Sequence, residues 1–296
     1  MFCDEYVVKT GPLHSRTLNF LQICDLREQA LELVEAKLVP VDGQYVKVND
    51  LTFYYETFGT GEPLVLLHGG TATRRMWEKF VPAFAKHFKV IAPDSRGHGK
   101  SDNPSGEFGF RLMADDTAGL IRALGLEKPS ICGYSDGGQI CLEFGMHYPE
   151  SASKLVIVGA HNRLQDADIE ALREMGIEAP GVVDVQKFER MAPEIVSRVK
   201  EFSGGHGPEY WKTFVKEISK MWLTRLNYTM EDYRKITTPT LVLVGDRDED
   251  VSLEDALEMY RSIPKAELAV APGSDHYFPW SKTELFTRIV IDFLRR

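Results

Sequence analysis

Short strand-like runs alternating with helical patterns predict an α/β fold: a mostly parallel, doubly wound sheet with a helical cap insertion. Three observations carry this. Residues 64–67 (Leu-Val-Leu-Leu) form an apolar run without polar breaks, the mark of a strand covered on both faces. Similar runs recur at 89–92, 130–132, 155–158, 240–244 and 266–270, most of them separated by stretches of helical period. Between 161 and about 236 the alternation stops and only helical patterns remain.

In chain order, residues 1–40 read as an N-terminal extension. Leu18, Leu21, Leu26, Ala30, Leu33 and Val34 recur there at roughly helical spacing, so one or two helices are expected. Residues 45–48 and 51–55, joined at Asn49-Asp50, predict an antiparallel hairpin. Helices are expected at 110–124, 138–147, 253–262 and 282–294, the second stopping before Pro149. This divides the chain into a core of 41–160 and 237–296 and a cap of 161–236. In open sheets of this kind the ligand crevice lies at the carboxyl ends of the strands, so the residues just after each strand carry the information.

The bulk properties exclude several function classes. With 43% hydrophobic and 27% charged residues, the chain has an ordinary globular composition and no disorder signature. Its apolar runs are far shorter than a membrane span requires. A net charge of -9 argues against a nucleic-acid partner. Cys3, Cys24, Cys132 and Cys141 form no C-x-x-C pair and read as unpaired thiols in a reducing compartment. The histidines show no metal-binding spacing, and residues 1–13 have no signal-peptide pattern, so no metal and a cytoplasmic location are expected.

After the strand at 130–132 comes Gly133-Tyr134-Ser135-Asp136-Gly137-Gly138, a G-x-S-x-G between strand and helix. This nucleophile elbow puts a serine hydroxyl on a strained turn, with glycines where a side chain would collide with neighbouring elements. A serine needs a base, and that base is expected after a later strand, with an acid between. His276, in Pro272-Gly273-Ser274-Asp275-His276, fits the base. Gly245-Asp246-Arg247-Asp248 follows the strand at 240–244, and the G-x-x-D spacing selects Asp248 over Asp246. The stretch 159–163 carries no carboxylate, which favours the later position. An oxyanion hole needs two backbone donors. The N–H groups of Asp136 and Gly70 are expected to supply them, with Thr71 as the alternative to Gly70. His161, Trp211 and Trp222 are candidates for lining the substrate pocket, as is the Asp136 carboxylate. For the tryptophans the competing reading is burial inside the cap.

His68-Gly69-Gly70, Asp94-Ser95-Arg96-Gly97-His98-Gly99-Lys100-Ser101, Gly133 to Gly138, Gly245 to Asp248 and Asp275-His276 together resemble the α/β-hydrolase superfamily from about residue 40 onward. Asp136 and the stretch Gly207-Pro208-Glu209-Tyr210-Trp211 are most similar to the valacyclovir-hydrolase (biphenyl-hydrolase-like) branch. The resemblance implies that the Asp94 to Ser101 stretch is a structural loop behind the active site. It implies a cofactor-free serine hydrolase acting on a small carboxylic ester through an acyl-enzyme. The same triad also serves carbon–carbon hydrolases, perhydrolases and acyltransferases, and the fold serves some ligand receptors. The Asp136 carboxylate supplies favourable charge at the helix N-terminus or a hydrogen bond that stiffens the elbow, or, as the resemblance to that branch implies, meets a cationic group on a substrate.

Overall fold

The computed structural model describes residues 41–161, 163–202, 206–224 and 226–296. The helices expected within 1–40 lie outside them. The first two strands, β1 (Val41–Val48) and β2 (Leu51–Phe58), form the expected hairpin, with Val48 opposite Leu51 and Asn49 in the left-handed region that asparagine tolerates. Then follow β3 (Pro63–Leu67), β4 (Lys89–Pro93), β5 (Ser130–Tyr134) and β6 (Leu155–Val158). After the long interruption come β9 (Thr240–Gly245) and β10 (Ala266–Ala271).

These eight strands form one sheet in the order β1-β2-β4-β3-β5-β6-β9-β10. Pairing is antiparallel from β1 through β4 and parallel from β4 onward. Every residue of β5, β6 and β9 is buried. Successive side chains point to opposite faces, so both faces of the central sheet are covered. That explains why these strands read as unbroken apolar runs. Each buried Leu, Ile or Val there contributes about 1.5–3 kcal/mol over its exposed state.

The register positions the site. Leu67 pairs with Gly133, Tyr134 with Val158, Val158 with Leu243, and Gly245 with Ala271. The strand ends preceding His68, Ser135 and Gly159, and those before the Asp248 and His276 loops, therefore lie along one edge. Strand order reverses at β3, with β4 on one side and β5 on the other, and that is where a crevice opens.

Between β6 and β9 the described residues form helices Asp166–Glu174, Val185–Met191, Pro193–Phe202, Tyr210–Trp222 and Met230–Arg234. They also form a small hairpin absent from the sequence reading, β7 (Ile177–Ala179) with β8 (Val182–Val183). Its signal was Pro180-Gly181, a turn pair whose glycine has a φ of 77°. The helix after β5 starts at Asp136, two residues before the expected Gly138. Close packing rather than helix propensity decides this, because the glycines lie inside the first turn.

Candidate active site

Ser135 has φ 55° and ψ -119°, a strained conformation for a residue with a side chain. Its N–H donates to the Val158 carbonyl at 2.8 Å. A Cβ on Gly133 would stand 2.0 Å from the Gly137 oxygen, and one on Gly137 would stand 2.3 Å from the Leu67 oxygen. Both glycines are therefore required for the turn to close, and the closed turn projects Ser135 beyond the sheet edge.

The loop after β9 meets the loop after β10. His276 Nδ1 lies 3.1 Å from Asp248 Oδ1 and 3.0 Å from Oδ2. The Asp248 carboxylate is aimed by the N–H groups of Asp250 and Val251, at 3.0 and 2.9 Å. Asp246 instead accepts from the Ser274 N–H at 2.9 Å and ties the two loops together. The structure thus places Asp248, not Asp246, against the imidazole. His276 is 7% exposed. Burial acts to lower its pKa, but the bond to Asp248 and the charges of Asp248, Asp250 and Asp136 outweigh this and raise it.

Nε2 of His276 lies 3.7 Å from Asp250 Oδ2, and no hydrogen bond joins it to Ser135 among the described residues. Such bonds are often long until a substrate tightens the site. Asp248, Asp250 and His276 bring three potential metal ligands within 4.8 Å, a cluster that histidine spacing did not reveal. The commitment of Nδ1 to Asp248 makes this donor set read as an acid–base pair with an exposed neighbour.

Ser135 stands where two cavities meet. The larger, about 800 Å³, is lined by Arg74, Arg75, Lys100, Arg198, His276 and Trp280 among others. Arg74 is paired with Glu56 and Asp94, and Arg75 with Glu78 and Glu201. The Lys100 and Arg198 head groups form no ion pair among the described residues; the first meets the Tyr54 hydroxyl and ring and the second the Thr71 hydroxyl. The second cavity, about 400 Å³, is mostly apolar, with Leu164, Leu172, Met175, Phe188, Ile195 and Trp222 in its wall. Its ionisable groups are acidic apart from His161: Asp136, Asp168, Glu249 and Asp250. Gly70, Thr71, Ser135 and Asp250 line both.

The family model for the alpha/beta hydrolase fold matches residues 62–283. The chain belongs to the alpha/beta hydrolase family. This α/β-hydrolase is 27% identical over 265 residues to the 2-hydroxy-6-oxo-2,4-heptadienoate hydrolase of Pseudomonas putida, covering 85% of this chain and 96% of that protein. It is 27% identical over 254 residues to the 2-hydroxy-6-oxo-6-phenylhexa-2,4-dienoate hydrolase of Burkholderia cepacia, covering 80% and 88%. Among solved structures it is similar to a thermophilic esterase from Thermogutta terrifontis, with TM-score 0.67 and 27% identity over 85% of this chain and 98% of that one.

The sequence-predicted residues of this α/β-hydrolase separate as follows. Ser135, His276 and Gly70 share the first cavity, Ser135, Gly70, Asp136, His161 and Trp222 share the second, and Asp248 lies behind His276 outside both linings. The N–H groups of Gly70 and Asp136 make no hydrogen bond among the described residues, so both remain available as donors. The Asp136 carboxylate makes a hydrogen bond: Oδ2 accepts from Trp222 Nε1 at 2.8 Å. Burial raises its pKa to about 6, with Trp222, His161 and His276 opposing. Trp211 lines neither cavity. It is 1% exposed and packs inside the insertion beneath Lys200 and Lys212, so its pocket assignment is corrected to core. Lys100 and Arg198 were missed because an isolated cation in a loop or on a helix looks like solvated surface. No helix among the described residues is long and apolar enough to cross a membrane.

Proposed function

We propose that this protein is a serine hydrolase that breaks a carbon–carbon bond beside a ketone, in a small substrate with a carboxylate at one end and an apolar group at the other. The supporting observation is the position of Ser135 between a lobe with two unpaired cations and an apolar lobe whose charges are mostly acidic. A carboxylate is drawn to Lys100 and Arg198 and repelled by Asp136, Asp168 and Glu249, which line the apolar lobe only, so charge orients such a molecule. The relatives' names point the same way. A 2-hydroxy-6-oxo-dienoate contains a carboxylate and a ketone but no ester, so its hydrolysis must cleave carbon from carbon.

In this mechanism His276 Nε2 takes the Ser135 proton as Oγ bonds to the ketone carbon. The oxyanion is held by the N–H groups of Gly70 and Asp136. Its collapse breaks the carbon–carbon bond. The substrate reacts as its 2-keto tautomer, in which the hydroxyl proton has moved to the carbon beside the ketone, so the released electron pair delocalises through the alkene onto the 2-oxygen. The carboxylate of that fragment faces Lys100 and Arg198, and His276 returns the proton to the oxygen. Water then attacks the acyl-Ser135, giving its proton to His276, and the acid leaves as Oγ is reprotonated. Asp248 keeps the imidazole oriented and stabilises its charged form.

The esterase likeness supports a second reading, in which the same serine releases an alcohol. Product analysis separates the two. With a 2-hydroxy-6-oxo-dienoate, two carboxylic acids should form and the conjugated absorbance should fall. Turnover of aryl acetates alone would replace the first reading with the second. Ser135→Ala should lower either activity by several orders of magnitude and abolish labelling by a fluorophosphonate. Persistent labelling would overturn the nucleophile.

A further inference from the structure

Two buried imidazoles lie behind the Gly69-Gly70-Thr71 loop. His68 and His98 are 2% and 1% exposed, and their rings are 4.9 Å apart. The Ser95 N–H donates to His68 Nε2 at 2.9 Å, so that nitrogen carries a lone pair. Burial pushes the His68 pKa down to about 3, so the ring is neutral and its proton sits on Nδ1. That Nδ1–H donates to the Gly69 carbonyl at 2.8 Å. His98 Nε2 lies 2.7 Å from the Gly70 carbonyl. Each of the two consecutive peptides in this loop therefore has an imidazole at its oxygen.

No peptide bond among the described residues is cis. In a trans peptide the N–H is opposed to the C=O, so tethering the oxygens turns the N–H groups of Gly70 and Thr71 away from the histidines. Gly70 and Thr71 line the same cavities as Ser135. His98 is also where the insertion rests. Phe214 meets its ring edge-on at 4.9 Å and Phe202 lies at 5.9 Å, while the Tyr210 hydroxyl donates to the Gly97 carbonyl at 2.9 Å.

We infer that His98 is a positioning residue for the oxyanion loop: its Nε2–H anchors the Gly70 carbonyl and so fixes the Thr71 N–H of the same peptide as a donor beside that of Gly70, and the insertion helices hold that ring in place. This rests on the acyl-transfer reading of Ser135. It gives the Arg96 to Ser101 loop a task beyond closing the fold. The other nitrogen, Nδ1, faces the Arg96 carbonyl at 2.8 Å. A neutral ring donates to only one of the two carbonyls, and burial disfavours the charged form. The inference commits the proton to the Gly70 side.

Substitutions separate the two nitrogens. Glutamine carries an amide nitrogen close to the place of Nε2, and asparagine carries one close to the place of Nδ1. His98→Gln should retain kcat within about threefold, whereas His98→Asn should lower kcat about tenfold to a hundredfold with KM within about threefold. Equal losses in the two variants, or a loss carried by KM, would overturn the inference. Histidine-selective ¹⁵N NMR of the unaltered protein tests it even where a variant fails to fold. The His98 Nε2 should carry a proton at neutral pH, and a lone pair there would overturn the assignment. If the unaltered protein shows no turnover that depends on Ser135, the acyl-transfer reading fails; the NMR result still decides which carbonyl His98 holds.

Discussion

Asp250 is mostly exposed, yet it faces the nitrogen of His276 that must take a proton. Its charge is one of the influences raising the His276 pKa. A base works only when neutral, so activity falls as pH drops through that pKa. The acid limb of kcat/KM should therefore lie above the ordinary histidine range. Asp250→Asn removes one carboxylate and should move that limb to lower pH, and an unmoved limb would rule out this tuning. Asp136 poses a different question. Its Oδ2 lies 2.1 Å from where a Gly70 Cβ would be, so it crowds the proposed oxyanion hole, and with a pKa of about 6 it is mostly ionised at neutral pH. A negative charge there opposes an oxyanion unless a substrate cation offsets it. Asp136→Asn keeps an oxygen for the Trp222 indole. It should lower kcat/KM for a cationic aminoacyl ester without lowering it for a carboxylate-bearing dienoate. Equal losses on both would make the carboxylate structural.

At the scale of elements, the helix Tyr210–Trp222 decides between two tryptophans that sequence pattern could not separate. Trp211, Phe214, Val215 and Ile218 are buried at intervals of three, one and three, a packing stripe. Trp222, at the far end, is half-buried and reaches Asp136. Trp211→Ala should cost about 3–5 kcal/mol of stability, measured by denaturant unfolding, with substrate preference unchanged. Trp222→Ala should enlarge the apolar lobe and shift preference toward longer acyl groups; unchanged preference would remove it from the pocket wall. The core strands were legible from their unbroken apolar runs because they are covered on both faces. The β7–β8 hairpin was not, since strands of two and three residues carry no period. Trp211 was misjudged because an aromatic suits a pocket and a core equally.

For the whole molecule, every described residue lining the two cavities lies beyond position 68, and the family match begins at 62. Deleting residues 1–38 should leave kcat/KM within a few-fold, and a folded but inactive truncation would show that the extension serves the site. The amino-acid sequence by itself determined the mostly parallel sheet, the elbow and the order of serine, acid and histidine. These depend on local pattern: apolar runs mark strands, and chemistry follows strand ends. It also pointed to Asp248 through spacing from Gly245. Only the tertiary structure decided that Ser135 stands between a cationic and an apolar lobe, that Trp222 occupies Asp136, and that His98 reaches Gly70. Those pairs are separated by 86 and 28 residues, and no local pattern encodes which distant side chains the sheet register and the insertion bring within a hydrogen bond of each other.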